Sequence, residues 1–142
     1  MKIGVMVESF RQGFRGGVEK AAALGAQGIQ AYATYGELAP ENLTEEKIRE
    51  ALDFVKSHGL VFSALCGDFG HGFMNPEKNK IYVEKSKRVL DLAKKLECNV
   101  VTTHIGTVPE EENETKEIMR KACRELAEYA DSVDAAFAVE TG

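Results

Sequence analysis

The sequence predicts an α/β fold with a parallel sheet, of the kind found in (βα)8 barrels. Short apolar segments alternate with longer amphipathic segments along the 142 residues, which is the order that βαβ units require. Gly13, Gly16 and Gly17 lack the spacing of a nucleotide-binding loop, so an open nucleotide-binding sheet is disfavoured. Polar residues follow the predicted strands, and a barrel builds its active site at the carboxyl ends of its strands. These three observations favour a barrel.

Five segments have the composition of strands that are buried on both faces. Each is short, rich in apolar residues and bounded by polar residues or glycine. The predicted strands are Lys2–Glu8, Gly28–Ala33, Leu60–Cys66, Asn99–His104 and Ala135–Glu140.

Four segments between these strands predict helices. The first carries Phe14, Val18 and Ala21 at helical spacing and ends near Gly25. In the second, Thr44 can accept a hydrogen bond from a first-turn amide. The predicted ranges of the last three are Thr44–His58, Pro76–Leu96 and Asn113–Asp131. Because each has one apolar stripe, we expect each to pack one face on the sheet.

Composition and charge exclude several classes of partner. The net charge is −5 and the Lys and Arg residues form no basic face, so nucleic acid is not expected as a partner. Cys66, Cys98 and Cys123 are widely spaced and odd in number, which predicts free thiols. No apolar run approaches the roughly 18 residues of a membrane span, and Met1–Val5 resembles a strand more than a signal peptide. We therefore expect a cytoplasmic protein that contacts no membrane.

Four segments, in the same order along the chain, carry a resemblance to a known family. They are Ile3–Ser9, Ala23–Gln30, Val101–Gly106 and Val139–Gly142, and the passage Leu-Gly-Ala-Gln-Gly-Ile-Gln is the most distinctive. The chain resembles the sugar phosphate isomerases and epimerases with a xylose-isomerase-like TIM barrel. This group includes hydroxypyruvate isomerases, ketose 3-epimerases and, more distantly, endonuclease IV.

The resemblance implies a fold, a reaction and a cofactor. A complete barrel needs about 250 residues, so residues 1–142 are expected to be the N-terminal part of one TIM-barrel domain, with five strands and four helices. The implied reaction is isomerisation or epimerisation of a small keto sugar, sugar phosphate or hydroxy-carbonyl compound through an enediolate. A divalent metal (Mg²⁺, Mn²⁺, Co²⁺ or Zn²⁺) and no organic cofactor are expected.

Five residues are candidates for the site. Glu140 is implied as a metal ligand and catalytic base, and the other ligands would come from strands 6 to 8, which this sequence does not contain. His104 is expected to contact the substrate at the catalytic centre, although it is a metal ligand in the nuclease branch and a structural role is as probable. Glu8, Asp68 and His71 are candidate substrate-binding residues, with structural roles as the alternative.

Two other functions remain open at this point. The chain can be a non-catalytic half-barrel that associates with itself, or part of a metal-dependent hydrolase similar to endonuclease IV. An open sheet leaves two strand edges and one exposed face, so a homo-oligomer is expected.

Overall fold

The computed structural model describes all 142 residues, Met1–Gly142, and contains the five strands and four helices in the predicted order. The strands are β1 Gly4–Met6, β2 Gly28–Tyr32, β3 Val61–Cys66, β4 Val100–Gly106 and β5 Ala136–Thr141. The helices are α1 Gly13–Ala23, α2 Glu45–Ser57, α3 Pro76–Lys95 and α4 Glu114–Ser132. Short 3-10 turns occupy Val7–Phe10, Gly36–Leu38 and Pro40–Asn42. No helix combines the length and the hydropathy that crossing a membrane requires.

The strands form one parallel sheet in the order β1-β2-β3-β4-β5, so β1 and β5 are its edges. Consecutive parallel strands joined by right-handed crossovers place all four helices on the same side of the sheet. The carboxyl ends of the five strands consequently lie along one rim. This is the architecture of the first part of a (βα)8 barrel, and it confirms the predicted fold class.

Three helices begin at a polar side chain that satisfies a free backbone N–H group. Thr44 Oγ1 accepts from Lys47 N at 3.2 Å, as the sequence predicts. Asn75 and Asn113 cap α3 and α4 in the same way. The caps fix where the helices start, and therefore how long the loops above the rim are.

The helix-facing side of the sheet is a continuous apolar core. Ile29, Ala31, Leu65 and Val101 have no exposed surface and belong to one cluster of 26 buried residues, to which all four helices contribute. We call this side the outer face. Its residues alternate with residues of the opposite side, as the pleat requires, except in β3, where the register with β2 shifts between Phe62 and Ala64.

The opposite side carries small and polar residues, and we call it the inner face. Its residues are Gln30, Tyr32, Ala64, Cys66, Thr102, His104, Ala138 and Glu140, which the strand register places side by side. Gln30 Nε2 donates to Thr102 Oγ1 at 2.9 Å, from β2 to β4. The inner face is therefore polar in its middle as well as at its rim.

The first strand is shorter than the sequence predicts. The predicted strand Lys2–Glu8 was wrong at both ends, because β1 covers only Gly4–Met6. The chain then enters the turn Val7–Phe10, which ends at Arg11 with a left-handed φ of 55° and a hydrogen bond from Arg11 N to Glu8 O. Glu8 thus lies in a tight turn just beyond the strand, where its carboxylate bends back over β2.

Candidate functional site

Three side chains from neighbouring strand ends form a row at the rim, joined by one hydrogen bond and one ion-pair contact. His104 lies opposite Glu140 in the register of β4 and β5, and its Nε2 is 3.1 Å from Glu140 Oε2. Its Nδ1 is 3.0 Å from Asp68 Oδ2, in the loop after β3. The imidazole is therefore held between two carboxylates. We call Asp68, His104 and Glu140 the His104 row.

The surroundings of His104 favour the protonated ring. The hydrogen bond to Asp68 raises its pKa, and the negative charge of Glu140 raises it further. In the imidazolium form Nδ1 donates to Asp68, and the positive charge of the ring attracts the Glu140 carboxylate. The Glu140 side chain is 72% exposed and the Asp68 side chain only 20%, so Glu140 is the open end of the row.

Asp68 links His104 to the loop that follows β3. Its second oxygen, Oδ1, accepts from Gly70 N at 2.8 Å. The same loop packs closely on β4, because a Cβ on Gly72, which has a φ of +60°, would lie 2.8 Å from Ile105 O. Only glycine fits there, and both oxygens of Asp68 are already engaged by the protein.

His71 lies next to the row but packs on a helix. Its ring centroid is 4.5 Å from that of Tyr82 on α3. His71 also lines a small cavity together with Asp68 and His104. The structure thus brings His71 near the row without a hydrogen bond to it.

Glu8 lies at the other end of the rim. Its Oε1 accepts from the backbone N–H of Tyr32 at 2.9 Å. Its Oε2 is buried and has no hydrogen-bond partner. A carboxylate with one unsatisfied buried oxygen is energetically costly, so this position is of functional interest.

Sequence reasoning missed Tyr32, which lies between Glu8 and the row. It pairs in register with Cys66, and the neighbouring Cys66 thiol, followed by burial, raises the pKa of its hydroxyl. The alternation of buried Ile29 and Ala31 with half-buried Gln30 and Tyr32 was the available signal, since it places Tyr32 on the inner face. Cys66 itself is a buried thiol, 6% exposed, whose pKa is raised by burial.

The described side chains do not form a complete metal site. No group of three His, Cys, Asp or Glu residues is placed to hold a metal ion. Both ring nitrogens of His104 contact carboxylates of the row, and the two oxygens of Asp68 contact His104 and the backbone N–H of Gly70. Glu140, with its exposed carboxylate, is the residue of this chain that fits as a single ligand for a divalent metal.

The parallel strands and their helices make this chain part of a (βα)8 barrel. Proteins of this class carry their sites at the carboxyl ends of the strands, where the polar groups of this chain lie. The family model described as xylose isomerase-like TIM barrel matches residues 18–142. The chain belongs to this family, which includes sugar isomerases and epimerases. No curated protein sequence matches the chain.

Solved structures with the same fold are longer than this chain. A xylose isomerase domain protein from Planctomyces limnophilus has a TM-score of 0.81 and 22% identity, covering 99% of this chain and 54% of that one. D-Psicose 3-epimerase from Clostridium cellulolyticum H10, solved with D-tagatose, has a TM-score of 0.76 and 16% identity, covering 96% of this chain and 51% of that one. A xylose isomerase-like TIM barrel protein from Mycobacterium smegmatis, in complex with magnesium, has a TM-score of 0.74 and 15% identity, covering 97% of this chain and 54% of that one. The chain spans about half the length of the solved structures it matches.

Proposed function

We propose that residues 1–142 are the N-terminal part of a single barrel domain of a metal-dependent isomerase or epimerase. Its substrate would be a small keto sugar or a related hydroxy-carbonyl compound. The observation that carries the proposal is the His104 row at the ends of β3, β4 and β5, in a chain of the xylose isomerase-like family. Similarity of fold to an epimerase solved with D-tagatose supports the substrate class.

The proposed reaction starts with a proton transfer to Glu140. The exposed carboxylate removes the proton from the carbon next to the substrate carbonyl, and the electron pair of that C–H bond forms the enediolate. Return of the proton to the adjacent carbon, with transfer of the hydroxyl proton between the two enediolate oxygens, gives isomerisation. Protonation of the original carbon on its other face, by a second acid, gives epimerisation. Protonated His104 holds Glu140 in place through their ion pair, with 3.1 Å between Nε2 and Oε2, and adds positive charge near the enediolate oxygens.

A divalent metal is part of the proposal, and Glu140 is the residue of this chain that would bind it. When bound, such an ion would act as a Lewis acid toward the substrate oxygens. Similarity of fold to a protein solved with magnesium supports a metal of this kind, with Mg²⁺, Mn²⁺, Co²⁺ or Zn²⁺ as candidates. Asp68 fixes the orientation of His104, while His71 and Glu8 contribute to the walls of the substrate site.

The test is exchange of the substrate proton next to the carbonyl. Proton NMR in D₂O, on the protein that carries this chain, follows that exchange for a panel of keto sugars with added Mg²⁺ or Mn²⁺. Glu140→Gln keeps the shape of the side chain but removes the base, so exchange should fall by roughly 10²-fold to 10⁴-fold. Glu128→Gln, on the exposed surface of α4, is the matched control and should leave exchange unchanged. Full exchange by Glu140→Gln would contradict the proposal.

A second candidate, self-association of the half-barrel, is favoured by the open sheet. The edges β1 and β5 have unpaired backbone groups, and Ile3 near one edge and Val139 in the other are 54% and 45% exposed. We propose that the 142-residue chain alone forms a homo-oligomer in which these edges are covered. Sedimentation velocity should show a dimer or larger species, and a stable monomer would refute it.

A further inference from the structure

A cavity lies at the carboxyl ends of β1 and β2, away from the His104 row. Its volume is about 450 Å³, and Glu8, Arg11, Phe14, Tyr32, Tyr35 and Glu37 are among the residues that line it. We call it the Glu8 pocket. A volume of this size is within the range of small-molecule sites.

The free oxygen of Glu8 needs a hydrogen-bond donor. Oε1 is used by the backbone N–H of Tyr32, whereas Oε2 has no partner and is shielded from solvent. An ionised carboxylate only accepts hydrogen bonds, so a ligand that satisfies Oε2 must bring an O–H or N–H group. Because this oxygen is shielded from solvent, its surroundings have to open before a ligand can reach it.

Two tyrosine rings form an aromatic wall beside Glu8. The rings of Tyr32 and Tyr35 are 5.2 Å apart between centroids. Tyr35 is 57% exposed and its hydroxyl makes no hydrogen bond, so its ring is free to pack against a ligand. Aromatic faces next to a carboxylate suit a ligand with C–H faces and hydroxyl edges.

The carboxylate of Glu8 disfavours an anionic group next to its free oxygen. Glu8 and Glu37 are both carboxylates, and Arg11 is the cation that lines the pocket with them. The guanidinium of Arg15 pairs with Glu37 at 3.1 Å. A phosphate placed near Oε2 of Glu8 would meet a like charge, whereas a hydroxyl would donate to it.

The pocket continues toward the His104 row along the same rim. Tyr32, held by Glu8, pairs in register with Cys66, and Asp68 of the row is two residues further along the chain. The pocket and the row are therefore on the same rim, with Tyr32 and Cys66 between them.

We propose that the Glu8 pocket is a subsite for the unphosphorylated, hydroxylated end of the substrate. One substrate hydroxyl donates to Oε2 of Glu8, and the rings of Tyr32 and Tyr35 contact the adjacent C–H groups. The inference rests on the proposed function for the reaction, and it selects neutral keto sugars over their phosphates.

The test is the binding of a sugar alcohol, which has no carbonyl and cannot react. Calorimetry or saturation-transfer NMR compares sorbitol with sorbitol 6-phosphate on the protein that carries this chain. Sorbitol should bind at least about 10-fold more tightly than the phosphate. Glu8→Gln keeps an acceptor for the Tyr32 N–H but removes the charge, and should reduce this ratio by about 5-fold or more.

A second pair of variants leaves Glu8 in place. Tyr35→Ala removes an exposed ring without disturbing the core, and should weaken sorbitol binding by about 5-fold to 10-fold. Tyr35→Phe is the matched control and should bind as the wild type does, because the hydroxyl makes no hydrogen bond.

The outcomes of these experiments distinguish the proposed subsite from the proposed reaction. Phosphate binding as tight as sorbitol binding, or a ratio unchanged in Glu8→Gln, would overturn the subsite. Sorbitol binding that responds as expected, in a protein without proton exchange, supports the subsite and refutes the proposed reaction. Proton exchange with sugar phosphates alone supports the reaction and overturns the subsite.

Discussion

The two faces of the sheet differ in how far their side chains are buried. On the outer face, Leu65 and Val101 have no exposed surface and pack under four helices. On the inner face, the His104 side chain is 53% exposed and that of Glu140 72% exposed. His104 nevertheless lies on the same strand as Val101, and Glu140 lies on the neighbouring strand. The same strands thus carry a buried apolar core on one side and exposed polar side chains at the rim of the other.

This difference in burial suggests that the outer face determines stability and that the inner face carries the proposed site. Burial of apolar area drives folding, and the outer face supplies it. The charged groups at the rim of the inner face, His104 and Glu140, are more than half exposed, so they contribute little to the apolar burial that drives folding. Substitutions on the two faces should therefore differ both in the size and in the kind of their effect.

The largest effect on folding is expected from the outer face of β3. Leu65→Ala removes a fully buried side chain, and should lower the free energy of unfolding by about 3 kcal/mol through lost burial and a residual cavity. Val61→Ala, on the same strand but 57% exposed, is the matched control and should change it by less than about 0.5 kcal/mol. Urea unfolding followed by circular dichroism measures both. Equal effects would contradict the division between the faces.

The outer face could be predicted from sequence because its signals are local. Strand hydrophobicity, helical spacing and caps such as Thr44 depend on residues near one another in the chain, and they placed every helix and strand. The error at β1 arose because the turn at Val7–Phe10 depends on contacts of Glu8 with β2. A strand that is predicted from apolar composition alone continues until a polar residue appears, which is why the predicted strand reached Glu8.

The inner face was predicted less completely because its contacts are distant in sequence. Glu140, His104 and Asp68 could be named as polar residues at strand ends, but their pairing depends on strand register. The Gln30–Thr102 hydrogen bond joins residues 72 positions apart. Tyr32 was missed because a tyrosine in a strand is usually interpreted as packing.

An intermediate effect is expected from the hydrogen bond in the middle of the inner face. Thr102→Val leaves the Gln30 amide without its partner, and should lower the free energy of unfolding by about 1 kcal/mol. Gln30→Leu combined with Thr102→Val replaces both polar groups by apolar ones and should recover most of that loss. A double-mutant cycle in urea measures the coupling. Additive effects would show that the bond contributes nothing.

The smallest effect on folding, and the most specific to the site, is expected from Asp68. Its hydrogen bond is the main reason that the pKa of His104 lies above the usual value of about 6.5, so Asp68→Asn should move that pKa back toward it. Because the folded-state pKa is raised, the stabilisation by the row is complete below about pH 6.5 and is lost as pH rises through the raised pKa. Both partners of the Glu140 contact are more than half exposed, so solvent screening keeps this contribution small. NMR titration of the His104 ring measures the shift, with Asp91→Asn on α3 as the control that should leave it unchanged. A His104 pKa that does not move in Asp68→Asn would show that the row is not formed in solution.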